Sequence, residues 1–301
     1  MSEVGVSVDD MTSANPTVPT IDLTHGVADA AHPVRIPQLG FGTWQIEPDE
    51  AQGVVERAIE TGYRHIDTAA GYYNEREVGA GLRASGVPRD DLFVTTKLRN
   101  GDQGFENALR AFEDSRRALG VDVVDLYLIH WPVPSEDRYV ETWRAFEKLL
   151  AEGAVRAIGV SNFLPEHLDR LVAETDVVPA VDQIELHPTL QQPDVVAACR
   201  RHGVVVEAYS PLGQGRDLAL PVVTEIADGL GVGPGQVVLR WHLQRGHVVI
   251  PKTVTPERMR ANLDVFSFEL TPDQLAAIDG LEDGTILTAD PATASFTQFR
   301  S

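Results

Sequence analysis

Cysteine is almost absent from this sequence of 301 residues, which contains one, Cys199. A single cysteine excludes an internal disulfide framework and a zinc site built from several cysteines. We interpret Cys199 as a small buried hydrophobic residue on a helix. Long apolar runs are missing too, since no segment approaches the ~20 residues that cross a bilayer. The start, MSEVGVSVDD, lacks the basic and apolar regions of a signal peptide. We therefore expect a cytoplasmic protein with no membrane partner.

Positive charge is scarce, because 25 Lys and Arg residues face 45 Asp and Glu residues, for a net charge of −20. Nucleic acid binding requires Lys and Arg to neutralise phosphates, so we expect no nucleic acid partner. Lysine is especially scarce, and the three lysines are Lys97, Lys148 and Lys252. Each position is therefore a candidate for a compact, titratable ammonium that arginine cannot replace.

One structural unit repeats along the chain, and 43% hydrophobic residues supply a large core. Apolar strand-like runs alternate with segments whose apolar residues fall at helical spacing. Eight such units predict an α/β fold, a closed (β/α)8 TIM barrel of parallel strands. An open doubly wound sheet is the alternative, but it would need a G-x-G-x-x-G motif after a strand, and none is present. The predicted strands are 38–43, 64–68, 92–98, 124–131, 155–162, 180–186, 204–210 and 248–252.

The regions outside the repeat have simpler interpretations. We expect residues 1–15 to form a flexible tail and residues 16–301 to form a single barrel domain. Two strands around residues 17–44 would form an N-terminal β-hairpin at the barrel floor. Asn74, three residues before Glu77, is typical of a helix cap. The predicted helices are 49–61, 104–119, 139–152, 165–174, 193–202 and 235–244.

The barrel prediction locates the chemistry, because functional residues of this fold lie at the C-terminal ends of the strands. The predicted strand ends carry one histidine and a few carboxylates, each on a different strand. No two of them are spaced as a local pair of metal ligands, so we expect no metal site. No serine or cysteine lies in a strained elbow beside a base, which argues against acyl transfer. The strand ends carry Thr43, Trp44, Asp67 with Tyr72, Lys97, His130, Trp131, Ser161, Asn162, Gln183, Glu185, Tyr209, Ser210 and Lys252.

A proton donor can be assembled from four of these residues. An unperturbed tyrosine has a pKa near ~10, and an ammonium at hydrogen-bonding distance lowers that pKa. Lys97 would lower the pKa of Tyr72 in this way, with Asp67 orienting the ammonium. His130 would donate a hydrogen bond to a polarised oxygen. Such a set suits protonation of a carbonyl oxygen while hydride reaches the carbon.

The chain resembles the aldo-keto reductases from about residue 36 to residue 268. The matching stretches are LGFGTW, GYRHIDTAAGYYNEREVG, TTKL, LYLIHWP, AIGVSNF, VDQIELHP, AYSPLGQG and VIPKTVTPERMRANLDVF. Each alone is weak, but together and in this order they are very specific. Among subgroups, the chain is most similar to bacterial 2,5-diketo-D-gluconic acid reductases. The resemblance implies NADPH-dependent reduction of small aldehydes, dicarbonyls or keto-sugars, by a protein that we expect to be a monomer.

The resemblance also implies roles for individual residues. Tyr72 would be the general acid, with Lys97, Asp67 and His130 completing a catalytic tetrad, while Tyr73 would pack at the rim. Trp44, Tyr72, His130 and Trp131 would contact substrate. NADPH would bind in extended form through Thr43, Trp44, Asp67, Ser161, Asn162, Gln183, Tyr209, Ser210, Leu212, Lys252, Thr253, Arg258 and Asn262.

Within that set, Ser161, Asn162 and Gln183 would hold the nicotinamide carboxamide, and Tyr209 would stack on the ring. Ser210 and Leu212 would line the pyrophosphate tunnel. The adenosine end with its 2′-phosphate would be held by Lys252, Thr253, Arg258 and Asn262.

The distribution of charge agrees with a phosphate site. PKTVTPERMR carries Lys252, Arg258 and Arg260 and opens a helix, where phosphate is well received. Several features depart from the family pattern, among them Thr253, which stands where serine is commoner, and a longer loop around Ala28–His32. Ala261 replaces an acidic residue common in relatives, which would loosen the grip on adenosine, and Asp182 replaces a common asparagine.

Two other functions remain as alternatives. One is a non-catalytic NADPH-binding sensor or regulatory partner of the same fold, which the intact tetrad disfavours. The other is a lyase or isomerase that uses Lys97 as a Schiff base, which would require an uncharged Lys97 and no nicotinamide site. We interpret His187 as structural. Phe296 and Phe299 belong to a tail that either reaches over the barrel mouth and shapes specificity or forms a mobile chain end.

Overall fold

The computed structural model describes residues 18–28 and 34–297. Within these residues an antiparallel hairpin, β1 and β2, precedes a sheet of eight parallel strands in sequence order. The hairpin strands are β1 Thr20–Leu23 and β2 Val34–Pro37. The parallel strands are β3 Phe41–Gly42, β4 His65–Asp67, β5 Phe93–Leu98, β6 Val124–Ile129, β7 Val155–Ser161, β8 Val181–Glu185, β9 Val205–Tyr209 and β10 Val248–Val249.

Backbone hydrogen bonds close this sheet into a barrel. The amide of Gly40 donates to the carbonyl of Val249 at 2.8 Å, and Val249 donates in turn to Gln38 at 3.0 Å. Gly42 permits the closure, because a Cβ there would lie 2.9 Å from the carbonyl oxygen of Ile250. The predicted (β/α)8 barrel is confirmed. The closing strands β3 and β10 are shorter than predicted, because regular pairing holds over only two residues of each.

The helices surround the barrel. Most begin with proline, whose fixed φ suits the first turn and whose missing N–H is not needed there. The six predicted helices are confirmed to within one residue at each end. The helices are α1 Pro48–Thr61, α2 Glu75–Ala84, α3 Phe105–Leu119, α4 Tyr139–Ala151, α5 Pro165–Glu174, α6 Pro193–His202, α7 Pro221–Leu230, α8 Pro234–Gln244, α9 Pro256–Leu263 and α10 Pro272–Asp279.

The N-terminal hairpin lies at the barrel floor, as predicted. Its buried residues Leu23 and Ile36 pack in one cluster with Leu126 and other residues from the barrel strands. The segment after β1 is hydrogen-bonded to β7, since the backbone N–H of Ile158 donates to the carbonyl of Gly26 at 2.7 Å. Gly26 has a φ of 60°, and a Cβ there would lie 2.6 Å from the carbonyl oxygen of Ile158, so glycine is required.

The predicted flexible tail, residues 1–15, lies outside the described residues. The assignment of residues 16–301 to one domain therefore stays a prediction. Among residues 18–28 and 34–297, no helix is long and apolar enough to cross a membrane. In the same residues, no group of three or more His, Cys, Asp and Glu side chains is placed to hold a metal ion.

Candidate active site

A buried ammonium lies at the centre of the barrel mouth. Lys97, on β5, is fully buried, and its Nζ donates to Asp67 Oδ1 at 2.5 Å. It also donates to the carbonyl oxygen of Thr68 at 3.0 Å and to the hydroxyl of Tyr72 at 3.2 Å. All three ammonium protons are thus used. Burial acts to lower the pKa of Lys97, but the charge and hydrogen bond of Asp67, together with Tyr72 and Glu207, outweigh it and raise that pKa. The lysine is therefore charged.

The structure separates the two neighbouring tyrosines. A short 3₁₀ helix, Ala70–Tyr72, follows β4 and turns the Tyr72 side chain onto Lys97. Tyr73 takes a left-handed conformation with a φ of 58°, and its side chain is 40% exposed. Only Tyr72 therefore reaches the buried ammonium, which agrees with the role that the resemblance gives it.

The direction of the pKa shift at Tyr72 differs from our expectation. Burial raises the pKa of Tyr72 to about 12, although the charge of Lys97 acts to lower it. The expected lowered pKa is therefore wrong, because loss of hydration destabilises the phenolate more than one ammonium at 3.2 Å stabilises it. At neutral pH the hydroxyl carries its proton and is ready to act as an acid.

His130 follows the end of β6 and faces Tyr72. The two ring centroids are 5.7 Å apart with the rings edge to face. Burial, together with the charge of Lys97, holds the pKa of His130 well below its usual range, so the imidazole is neutral and keeps one N–H. The next residue, Trp131, is buried and packs against Phe296 at a centroid distance of 5.1 Å. The tail thus reaches the mouth at Phe296, while Phe299 lies outside the described residues.

The four residues expected to hold nicotinamide are linked by hydrogen bonds around the tetrad. Ser161 donates from Oγ to the carbonyl of Gln183 at 2.7 Å. Asn162, with a φ of 63°, donates from Nδ2 to the carbonyl of His130 at 2.9 Å. The hydroxyl of Tyr209 donates to Asn162 Oδ1 at 2.8 Å. These bonds link β6, β7, β8 and β9 to one another around the barrel mouth.

The residues expected to bind the adenosine end lie farther along the mouth, around the start of α9. Lys252 and Arg258 are exposed, and neither forms a salt bridge with another described residue. Thr253 accepts a hydrogen bond from the backbone N–H of Thr255 at 3.1 Å. Asn262 is buried near the side chain of Tyr63, whose hydroxyl donates to the carbonyl of Met259 at 3.2 Å. Two unpaired cations beside a helix N-terminus fit a phosphate group.

Four more residues predicted to bind the cofactor lie around the barrel mouth: Thr43, Trp44, Ser210 and Leu212. Thr43 donates from Oγ1 to the carbonyl of Asp67 at 2.9 Å and is fully buried. Trp44, the next residue, is 37% exposed at the rim. Ser210 has a φ of 47° in the loop after β9, and Leu212 lies half-buried in the same loop. Trp44 and Ser210 are therefore accessible to a ligand, whereas the hydroxyl of Thr43 is used within the protein.

The side chain of Asn74 behaves differently from its sequence interpretation. Asn74 occupies the N-cap position of α2 but makes no capping hydrogen bond. Its Nδ2 donates to the carbonyls of Thr43 and Ile46, and its Oδ1 accepts from Thr68. The interpretation of Asn74 as a simple cap is wrong, because its amide fixes the loop that carries Trp44. Asp182, on β8, is fully buried and accepts hydrogen bonds from the thiol of Cys199 and from the backbone N–H of Phe163.

Sequence reasoning missed Glu207, a residue in the middle of β9 that is fully buried inside the barrel. A charged residue between apolar neighbours in VVEAY was the available signal, because burial of a carboxyl needs a partner. It also missed Asp217 and Thr288. These two residues reach the mouth from distant segments, which no local pattern reveals.

His187 links two loops beside the site, in agreement with its structural interpretation. Its Nδ1 lies 2.9 Å from Asp217 Oδ2, and its Nε2 lies 3.3 Å from Glu185 Oε1. Glu185 accepts a bond from the backbone N–H of Thr288, and the hydroxyl of Thr288 bonds that of Tyr209 at 3.0 Å. Burial acts to lower the pKa of His187, but the two carboxylates outweigh it and raise that pKa to about 9.

This arrangement predicts a loss of stability at alkaline pH. The folded-state pKa of His187 is above its ordinary value of 6.5, so the stabilisation is complete below that pH and is lost as pH rises through about 9. We expect a His187→Gln variant to melt below the wild type by on the order of 2–4 °C at neutral pH, and the gap to close above about pH 9. Thermal unfolding of both proteins across this range measures the gap. A gap that stays constant with pH would show that His187 is neutral.

The fold and this arrangement of side chains make the chain a (β/α)8 barrel enzyme. It belongs to the aldo/keto reductase family, whose model matches residues 38–283. It is 52% identical over 262 residues to an aldo-keto reductase of Mycolicibacterium smegmatis, covering 87% of this chain and 95% of that protein. It is 46% identical over 297 residues to morphine 6-dehydrogenase of Pseudomonas putida, covering 93% of this chain and 98% of that protein.

A solved structure of a Gox0644 variant in complex with NADPH has a TM-score of 0.84 to this chain, with 47% sequence identity. The superposition covers 87% of this chain and 96% of Gox0644. The family prediction is therefore confirmed. The more specific likeness to 2,5-diketo-D-gluconic acid reductases stays a prediction.

Proposed function

We propose that this protein reduces small aldehydes, dicarbonyls or keto-sugars to alcohols with NADPH, and that Tyr72 supplies the proton. One observation carries the assignment of Tyr72. Its hydroxyl, protonated at neutral pH, lies 3.2 Å from the buried ammonium of Lys97 and beside a neutral histidine. Membership of the aldo/keto reductase family and similarity to a protein solved with NADPH support the choice of reaction and cofactor.

In this proposal NADPH, when bound, supplies hydride to the carbonyl carbon. His130 donates its N–H to the carbonyl oxygen and orients the substrate. Tyr72 transfers its hydroxyl proton to the same oxygen, and its phenolate is left facing Lys97. The ammonium stabilises that phenolate at the moment it forms, which is when a fixed charge accelerates a reaction. Asp67 holds the ammonium in place through the bond at 2.5 Å.

The cofactor fits the residues present. Lys252 and Arg258 pair with no acidic side chain among the residues that the structure describes and are available to the 2′-phosphate, and the N-terminus of α9 adds backbone N–H groups. Tyr209 is half-exposed, and the bond from its hydroxyl to Asn162 holds its ring in one orientation for stacking. We propose that Ser161, Asn162 and Gln183 face the nicotinamide carboxamide. The monomeric state and the cytoplasmic location stay predictions.

A cofactor titration followed by turnover tests the function. We expect NADPH at micromolar concentration to quench tryptophan fluorescence, and NADPH to be oxidised after methylglyoxal or phenylglyoxal is added. Binding without turnover of any carbonyl in a broad panel would favour a non-catalytic sensor. Absence of NADPH binding would contradict the function and the site assignment together.

The two unpaired cations predict a preference for NADPH over NADH. Removing a charge-assisted hydrogen bond costs about 1.5–3 kcal/mol, so Lys252→Ala or Arg258→Ala should raise the KM for NADPH by roughly 10- to 100-fold. The KM for NADH should change little, because NADH has no 2′-phosphate. Steady-state kinetics with both cofactors measures the difference. Arg260→Ala is the matched control, because Arg260 already pairs with Glu257 on the exposed side of the same helix. Equal losses with NADPH and NADH would contradict the assignment.

A further inference from the structure

The side-chain amide of Gln183 lies between two carboxyl groups inside the barrel. Its Nε2 is 2.9 Å from Asp67 Oδ2 and 2.9 Å from Glu207 Oε2. Gln183 and Glu207 are direct partners in the register of β8 and β9, so both side chains point to the same face. All three residues are buried. Asp67 already belongs to the proposed tetrad, whereas the proposed mechanism gives Glu207 no role.

This contact fixes which way the amide of Gln183 faces. A glutamine amide has two N–H donors on nitrogen and acceptor sites on oxygen. Both N–H groups are committed, one to each carboxyl, so the carbonyl oxygen Oε1 is the end that remains for a ligand. A rotated amide would place its oxygen against Asp67 Oδ2, an oxygen of the carboxyl that pairs with Lys97. The two carboxyls therefore select one orientation, and Glu207 is the part of that clamp outside the tetrad.

The charge state of Glu207 is compatible with this role. The groups that face Glu207 are Asp67, Lys97, Gln183 and His65. The Nε2 atom of His65 lies 3.7 Å from Glu207 Oε1. Burial raises the pKa of Glu207 to about 8, and the charge of Asp67 adds to that effect. Burial also lowers the pKa of His65 to about 3, so His65 is neutral. At neutral pH Glu207 therefore carries a proton, while Oε2 still accepts from Gln183.

We propose that Glu207 is a positioning residue that holds the amide of Gln183 with its carbonyl oxygen toward the nicotinamide carboxamide. The oxygen then accepts a hydrogen bond from the carboxamide N–H and selects cofactors that carry this donor. The inference rests on the proposed function, because that function places nicotinamide beside Gln183. It adds a residue that touches neither substrate nor cofactor.

A cofactor analogue separates this role from a purely structural one. In 3-acetylpyridine adenine dinucleotide phosphate, a methyl group stands where the nicotinamide carboxamide of NADP⁺ has its NH2. The dissociation constants of NADP⁺ and of the analogue are measured by tryptophan fluorescence. The proteins compared are the wild type, Glu207→Met, Glu207→Gln and the control Val206→Ala. Val206 is the neighbouring buried residue on β9 and packs in the cluster outside the barrel lining.

We expect the wild type to bind NADP⁺ about tenfold more tightly than the analogue, because the analogue cannot donate the hydrogen bond to Gln183 Oε1 and one hydrogen bond is worth about that factor in affinity. Glu207→Met removes the acceptor and frees the amide, so the ratio should fall to within about twofold of unity. Glu207→Gln keeps a neutral acceptor oxygen and should keep the ratio, as should Val206→Ala. Because the ratio compares two ligands on one protein, a general loss of stability does not change it. Glu207→Ala gives the same readout should the methionine variant fail to fold.

A wild-type ratio retained in Glu207→Met and Glu207→Ala would overturn the proposal. A wild-type ratio near unity would also overturn it, while NADP⁺ binding and carbonyl turnover still supported the proposed function. Failure of the wild type to bind either dinucleotide would instead contradict the proposed function itself.

Discussion

Tyr72→Phe should lose carbonyl reduction by about 10³-fold in kcat while still binding NADPH, because a general acid contributes about 10²–10⁴-fold. The substitution removes one hydroxyl and keeps the ring that packs edge to face with His130. The pKa of about 12 means that the wild-type hydroxyl is fully protonated at neutral pH, so the whole enzyme population has the acid in its active form. Single-turnover kinetics with saturating NADPH measures the loss, and fluorescence quenching measures the binding.

Tyr73→Phe is the matched control for this substitution. The two tyrosines are adjacent, and the same atom is removed from each. Tyr73 is 40% exposed and turns away from Lys97, so its variant should keep nearly full activity. A Tyr72→Phe variant with wild-type turnover, or an inactive Tyr73→Phe variant, would show that Tyr72 is not the general acid.

The barrel could be predicted from the sequence because its signals are local and repeated. Alternation of strand-like and helical patterns gave eight parallel strands, and proline marks the start of most helices. The strand ends then located the tetrad, since this fold gathers the C-terminal ends of its strands at one face. The closing strands were the least predictable, because their pairing depends on the approach of Gly42 to Ile250 across the whole chain.

Burial and distant contacts could not be predicted from the same patterns. The pKa of Tyr72 was expected to fall, because the sequence reveals the nearby lysine but not the loss of water around the hydroxyl. Asn74 has the spacing of a cap, but Thr43, Ile46 and Thr68 compete for its amide. Hydrogen bonds from a residue such as Thr288 to Glu185 cross about a third of the chain, so only the folded structure reveals them.

Lys97→Met should both inactivate and destabilise the protein, and a second substitution should separate the two effects. Removing one partner of a buried ion pair costs about 3–5 kcal/mol, because Asp67 is left buried without its cation.

The double variant Asp67→Asn with Lys97→Met buries no unpaired charge, and its amide oxygen can still accept from Gln183. It should therefore regain most of the free energy of unfolding, measured by urea denaturation. Activity should stay reduced by about 10³-fold in both variants, because Tyr72 lacks the ammonium that stabilises its phenolate. Recovery of turnover along with stability would mean that Lys97 only supports the fold. A Lys97→Met protein as stable as the wild type would mean that the pair is not held as buried ions.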